Sequence, residues 1–270
     1  MIIIKLKGGL GNQLFQYAFG LFLAKKRGEE LKIDNNNLFS GSDTVRFYDL
    51  DNFNISATVA SDSEIKRVKP KFSLLIKIYK KIFKKYHIGY EKNILETKAN
   101  YIEGFFQSYK YLEPIKEQLL KEITLKEDID YKLQSNAISV HIRRGDYVNN
   151  KECFICGLEY YNRAFRIIKE KVVDPVFYIF SDDIVWAKEN LDNKDNLVFV
   201  SSPELTNCEE LIIMSRCKHN IISNSTFSFW GAWLNQNPNK IVIAPNKWNN
   251  VFMDEYNDLL PPSWLQISVK

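Results

Sequence analysis

Ala137-Ile-Ser-Val-His-Ile-Arg-Arg-Gly-Asp-Tyr147 runs from an apolar, β-branched stretch directly into a cluster of cationic and acidic side chains. Ile138, Val140 and Ile142 alternate with Ser139, His141 and Arg143. Strand periodicity therefore puts His141 and Arg143 on one face and Arg144 on the other. Gly145 permits a sharp turn, and Asp146 falls just past the strand's carboxyl end, where open α/β sheets bind ligands. An arginine on a rigid strand presents a planar fork of donors that suits a phosphate better than a lysine would. The competing reading of this segment is a strand end with a structural Arg–Asp pair. Arg144-Gly145-Asp146 as an adhesion signal has no supporting context.

From residue 137 onward the pattern repeats. Strands are expected at 137–142, 176–180, 197–200, 220–223 and 240–244, with helical segments between most of them, which describes a doubly wound parallel sheet. The first 130 residues form a less regular α/β unit, with strands at Ile2–Leu6, Leu31–Asp34 and Tyr101–Phe106 and a helix over 13–27. A chain of 270 residues holds two such domains, here 1–130 and 131–270. Two Rossmann-like α/β halves predict an interdomain cleft as the ligand site.

Composition excludes several classes. A net charge of +4 is too small and dispersed for a nucleic-acid binder. The start, Met1-Ile-Ile-Ile-Lys5, has no signal-peptide layout, and no stretch approaches the ~18 apolar residues of a membrane span, so a cytoplasmic location is expected. Cys153 and Cys156 have CxxC spacing, but no histidine stands at ligand spacing, so reduced thiols rather than zinc are expected there and at Cys208 and Cys217. The sequons at Asn54 and Asn224 matter only in a secreted protein. Residues 66–86 carry nine Lys or Arg, and Phe72, Leu75, Ile76, Tyr79, Phe83 and Tyr86 follow helical spacing. This predicts a basic amphipathic helix, either packed on its own domain or lying on an anionic membrane.

Three further clusters stand at expected strand ends. Gly8-Gly-Leu-Gly-Asn-Gln13 is a glycine-rich turn ahead of a helix, suited to a phosphate or a sugar oxygen. A dinucleotide fingerprint is its rival, with Asp34 as the acidic residue, but Leu14 stands where the third glycine belongs. Phe177-Tyr-Ile-Phe-Ser-Asp-Asp183 ends in two aspartates, one suited to cap the next helix and the other to accept hydrogen bonds from a base such as guanine. In Asn220-Ile-Ile-Ser-Asn-Ser-Thr-Phe-Ser-Phe-Trp230, Ser225 and Thr226 point donors toward an anion from a helix start. Each cluster alone also reads as a helix cap. Four of them at strand ends of α/β units point to a site.

His141-Ile-Arg-Arg-Gly-Asp-Tyr147, Gly8-Gly-Leu-Gly-Asn-Gln13 and Asn224-Ser-Thr-Phe-Ser-Phe-Trp-Gly231 resemble the family 11 glycosyltransferases, the α1,2-fucosyltransferases, over nearly the whole chain. The resemblance implies a GT-B-like fold, GDP-β-L-fucose as donor, inversion at the anomeric carbon and no divalent metal or other cofactor. It implies Arg143 on the β-phosphate, Asn12 near the reacting centre, Asp182 or Asp183 at the guanine, and Ser225 and Thr226 at the phosphates, with Gly9, Gly11 and His141 completing the donor-binding set. Asp146 is the candidate base for the acceptor hydroxyl, the alternative being a structural partner of Arg144. The expected acceptor is a galactose-terminated oligosaccharide, lipid-linked in an O-antigen or capsule pathway. Asp49-Leu-Asp51 has the DxD spacing of metal-dependent transferases, but it lies in a stretch that reads as an acidic turn. A nucleotide-dependent oxidoreductase and a non-catalytic glycan-binding protein are the rival classes.

Overall fold

The computed structural model describes the chain except residues 37, 39–45, 70–86, 149–152, 154, 155, 193–195, 251–255 and 270. It divides into two compact units. One comprises Met1–Ile123 with Glu255–Leu260, the other Thr124–Asp254 with Pro261–Lys270.

In the first unit, β1 (Ile2–Lys5), β2 (Leu31–Asp34), β3 (Thr58–Val59) and β4 (Tyr101–Ile102) form a parallel sheet in the order β3-β2-β1-β4, with the short helices α3 (Tyr109–Leu112) and α4 (Lys116–Glu122) following β4. The first two strands are buried at nearly every position because a parallel sheet is covered on both faces. The helix α1 (Leu10–Arg27) follows β1 and stops at Gly28, whose φ of 63° closes it, with three basic residues in its last turn. A fingerprint glycine is missing at position 14, but close helix–sheet contact occurs further along α1. A Cβ on Gly20 would stand 2.9 Å from Leu31 Cδ1 and 3.1 Å from Ile4 Cβ.

In the second unit, β5 (Ala137–Ile142), β6 (Val176–Ser181), β7 (Leu197–Phe199), β8 (His219–Ile221), β9 (Val242–Pro245) and β10 (Leu265–Ile267) form a parallel sheet in the order β10-β9-β8-β5-β6-β7. The strand β10 was not expected from the sequence. Helix α5 (Leu158–Lys169) lays Tyr160, Tyr161, Ala164, Phe165 and Ile168 on the core. Its tyrosines also secure strand ends: Tyr160 donates to the Ile222 carbonyl at 2.6 Å and Tyr161 to the His141 carbonyl at 3.1 Å.

The unit boundary falls after residue 123 rather than 130. Asp128 and Ile129 are held by the Arg216 guanidinium, which ties this stretch to the second unit. Conversely, Ser108 Oγ donates to the Asp258 carbonyl at 2.7 Å, and Lys110 pairs with the Asp258 carboxylate at 2.6 Å, returning that late segment to the first unit. Two other expectations are corrected. Lys66–Val68 belong to a short helix, α2 (Asp62–Val68), opened by the Ser61–Glu64 capping box and ended by Lys69, whose backbone is extended. The remainder of the predicted basic helix, 70–86, lies outside the described residues. The strand at Tyr101 stops at Ile102, because the chain turns through Phe106 at a φ of 53°.

Candidate functional site

Both sheets change direction once. In the first unit the chain leaves β1 toward β2 and later adds β4 on β1's other side. In the second it runs from β5 to β6 and β7, then returns to add β8 on β5's other side. Open α/β sheets bind ligands outside the carboxyl ends of strands at such a point. Each unit places its sequence-predicted residues there.

At the carboxyl end of β5, His141 is buried and its Nδ1 lies 2.9 Å from Ser223 Oγ, on the segment that follows β8. Burial, helped by the nearby Arg143 charge, pushes the imidazole pKa down to about 3, so the ring is neutral near pH 7. Arg143 is held by two carboxylates, Asp182 Oδ2 at 2.9 Å from Nη1 and Asp146 Oδ1 at 2.5 Å from Nη2. Burial opposes its charge, but Asp182 and Asp146 outweigh burial and raise its pKa. Arg144 turns the other way, as the strand alternation predicts. Its Nε donates to Asp183 Oδ2 at 3.1 Å, and its guanidinium lies 3.9 Å from the Trp186 ring centroid.

Asp182 is the hub of this turn. It also accepts the Arg144 backbone N–H at 2.9 Å, and a Cβ on Gly145 would stand 2.3 Å from its Oδ2. Glycine at 145 is therefore needed for close approach to a carboxylate. The parallel register explains why: Ile142 pairs with Ser181, so the residues just beyond, Arg143 and Asp182, come face to face. Neither aspartate is without a partner. Asp183 Oδ1 accepts from Trp186 N at 3.2 Å, capping α6 (Ile184–Asn190), so the expectation of one aspartate left free for a base is corrected. Asp146 pairs with Arg143 and not, as the alternative reading had it, with Arg144.

At the end of β8, Ser225 caps α8 (Thr226–Leu234), its Oγ accepting from Phe227 N at 3.3 Å, and Thr226 is the first helical residue. Asn224, fully buried, donates to the Trp248 carbonyl at 3.1 Å, and its own carbonyl accepts from Tyr147 OH at 3.2 Å. The loop after β8 is thus tied to the turn after β5. Sequence reading did not single out Ser223 as the partner of His141, nor Glu210 on α7 (Asn207–Arg216). Burial pushes the Glu210 carboxyl up to about 7, with Ser201's hydrogen bond opposing and the Asp182 charge adding to the shift. The signal was present: Glu209 closes the Thr206 capping box, which leaves Glu210 for another role.

The first unit's switch point is built from amides. Only the residues through Gly9 form the turn. Leu10, Gly11 and Asn12 are already helical, and Gly9 caps α1 with no side chain. Gly8 has a φ of 83°, and a Cβ there would stand 2.6 Å from Asn12 Nδ2. Asn12 Oδ1 accepts from Gln107 Nε2 at 2.9 Å, joining the loops after β1 and β4. Gln13, fully buried, donates to the Gly8 and Phe47 carbonyls at 3.0 and 2.7 Å, and Gln16 exchanges hydrogen bonds with the Lys7 backbone. These glutamines were not foreseen as braces of the turn. Asp34 is not open to a ribose: it is 1% exposed and bound by Lys5 at 3.2 Å and Tyr101 OH at 2.5 Å. Asp49 and Asp51 flank buried Leu50 in a single 3-10 turn rather than ending a strand. Cys156, Cys208 and Cys217 are buried free thiols and Cys153 is a half-buried one. Burial pushes the Cys156 thiol up to about 12. Among the described residues no group of three or more His, Cys, Asp or Glu is placed to hold a metal, and no helix is long and apolar enough to cross a membrane.

The model of glycosyl transferase family 11 matches residues 1–268. The chain belongs to this family. It is 34% identical to an alpha-1,2-colitosyltransferase of Escherichia coli over 99% of each chain. It is 24% identical to the galactoside 2-alpha-L-fucosyltransferase Sec1 of Mus musculus, over 87% of this chain and 64% of the mouse protein. Among solved structures, the fucosyltransferase NodZ from Bradyrhizobium matches with a TM-score of 0.51 and 15% identity, covering 85% of this chain and 91% of NodZ. That likeness concerns the fold, and it agrees with the GT-B-like class expected from the motifs. The protein is a glycosyltransferase.

Proposed function

We propose that this glycosyltransferase moves L-fucose from GDP-β-L-fucose to the 2-hydroxyl of a galactose in an oligosaccharide, with inversion, in the assembly of an O-antigen or capsule unit. The observation that carries the reading is Arg143: a guanidinium fixed at the switch point between β5 and β8, in a chain of family 11. The fucosyltransferase among its relatives supports the sugar and the accepting galactose.

In this reading the second unit binds the donor and the first the acceptor. The bond between C1 of fucose and the β-phosphate oxygen breaks, and the phosphate leaves with the electron pair. The acceptor O2 forms the new bond to C1 and loses its proton. Such a step depends on stabilising charge that develops on the leaving group. Arg143 and the Ser225/Thr226 helix start do this at the β-phosphate, without a divalent metal. Because Arg143 is engaged by Asp182 and Asp146, phosphate binding exchanges one of these partners. Exchange with Asp146 releases that carboxylate to take the acceptor's proton, and leaves Asp182 holding the turn. Asp182 or Asp183 serves the guanine in this scheme only by keeping its present partner and accepting through a remaining lone pair. Asn12, with Gly9 and Gly11 at the start of α1, faces the sugar.

A second reading has a specific observation behind it. Colitose is L-fucose without its 3-hydroxyl, and the relative from Escherichia coli is named for colitose transfer. The experiment is therefore a transfer assay with GDP-fucose and GDP-colitose, each against lactose, N-acetyllactosamine and other β-galactosides, in EDTA, with linkage assigned by NMR. An α1,2-fucosylated galactoside is expected. Transfer of colitose alone would replace the donor, dependence on Mn²⁺ would overturn the metal-free scheme, and failure to bind either donor would overturn the reading. Asp146→Asn should lower turnover at least tenfold, and near-normal turnover by the folded variant would remove Asp146 as the base.

A further inference from the structure

The described residues contain one buried side-chain polar atom with no hydrogen-bond partner, Gln107 Oε1. Buried polar atoms are almost always paired, because an acceptor taken out of water and left unpaired loses its hydration with nothing in return. This orphan has a telling address. Its own amide nitrogen is the group that binds Asn12 Oδ1, across the first unit's switch point. The residue is 94% buried, at 6% exposure.

The backbone that delivers Gln107 is strained. Phe106, immediately before it, adopts a φ of 53° while fully buried, a conformation that a bulky side chain rarely takes. The Phe106 ring stacks on Phe19 of α1 at 3.8 Å, and Gly104 has no room for a Cβ beneath the same ring. The Gln107 backbone N–H is fixed on the Ile88 carbonyl at 2.6 Å, and Ser108 is tied to Asp258. The side chain is therefore held from both ends, its donor satisfied and its acceptor not. Turning both amides over would only exchange the orphaned oxygen for an orphaned N–H. Strain of this kind persists where the surroundings over-determine it, at ligand clamps among other places.

We propose that Gln107 Oε1 accepts a hydrogen bond from a sugar hydroxyl and thereby selects the sugar bound at the Asn12 turn. The inference rests on the fucosyl-transfer reading only for which sugars are tried. The hydroxyl belongs either to the accepting galactoside or to the transferred sugar, and one experiment separates the two. Titration calorimetry compares wild type with Gln107→Met, which keeps the length and removes the acceptor, and with Gln107→Glu, which keeps an acceptor. Melting temperatures establish that each variant is folded.

The ligands are methyl β-galactoside with its 3-, 4- and 6-deoxy analogues, and GDP-fucose with GDP-colitose. Wild type should reject one deoxy ligand by tenfold or more against its parent. Gln107→Met should bind the parent about as weakly as the deoxy form, and Gln107→Glu should keep the preference. Loss of discrimination among galactosides assigns the hydroxyl to the acceptor, and loss between the two donors assigns it to the transferred sugar. If Gln107→Met is unfolded, wild type against Gln107→Glu is read on the same panel, and no discrimination by wild type overturns the proposal. Equal discrimination by wild type and folded Gln107→Met, or no binding of any of these ligands, also overturns it. Because the readout is binding, a protein that binds these sugars without transferring fucose would fail the functional reading and leave Gln107 supported.

Discussion

The two units of this glycosyltransferase use the same topology for opposite chemistry. Each has a parallel sheet that reverses direction once, and each gathers polar side chains at that reversal. In the second unit the cluster is ionic: Arg143 and Arg144 face Asp146, Asp182 and Asp183. In the first it is mostly amide: Asn12 and Gln107 hold each other and Gln13 and Gln16 hold the backbone, while the Lys5–Asp34 pair is buried at the strand ends and the Arg46 guanidinium lies beside Gly9. A fixed charge discriminates strongly for a charged partner, whereas amides offer both donors and acceptors at little electrostatic cost to a neutral one. The difference fits a division in which the second unit handles a diphosphate and the first a sugar.

The largest effect is expected where that division is sharpest. Arg143→Ala should reduce kcat/KM by about 10²–10³-fold, the usual scale for removing one preorganised group that stabilises developing charge. Arg143→Lys should recover only part of this, because an ammonium cannot span two carboxylates as the guanidinium does. Steady-state kinetics at saturating acceptor would measure both. Wild-type activity in Arg143→Lys would mean that charge alone matters and the fork does not.

Glycines give the next comparison. Gly145→Ala forces a Cβ to within 2.3 Å of the Asp182 carboxylate, and Gly8→Ala combines a similar clash at Asn12 with a φ of 83°. Each should destabilise the fold by ~1–3 kcal/mol, read by urea denaturation. Gly145→Ala should also weaken nucleotide binding, and Gly8→Ala sugar binding. A Gly145→Ala variant with unchanged GDP affinity would detach that turn from the donor.

The smallest effect concerns pH. Folding raises the Glu210 carboxyl from its ordinary 4.5 to about 7. Between these values the folded protein keeps a proton that the unfolded chain releases, so this group lowers stability as pH rises through that window, and its cost is constant above it. Glu210→Gln should therefore be more stable than wild type at pH 8, with the gap closing toward pH 4.5. A gap independent of pH would show that the half-buried setting of Glu210 does not raise its carboxyl.

Much of the second unit was legible because apolar runs ending in Arg, Asp or Ser residues survive translation into parallel strands. Strand alternation alone separated the directions of Arg143 and Arg144. What it did not contain was register: nothing local in Phe177–Asp183 says that Asp182 meets Arg143, so an aspartate read as free proves to be the hub of the turn. The first unit was harder. Its helix begins at a glycine without a capping side chain, and Gln13 and Gln16 look like ordinary helix-surface residues although they are buried. Gln107 lies after a two-residue strand that ends at a strained turn, which no periodicity announces. Short strands such as β3 and β10 carry too few residues for alternation to be visible.

The division of labour is tested most directly by measuring, on wild type and Arg143→Ala, the affinities for GDP and for a methyl β-galactoside by titration calorimetry. The account predicts that GDP binding falls at least tenfold in the variant while galactoside affinity stays within twofold. Unchanged GDP affinity, or a parallel loss of both ligands, would contradict it.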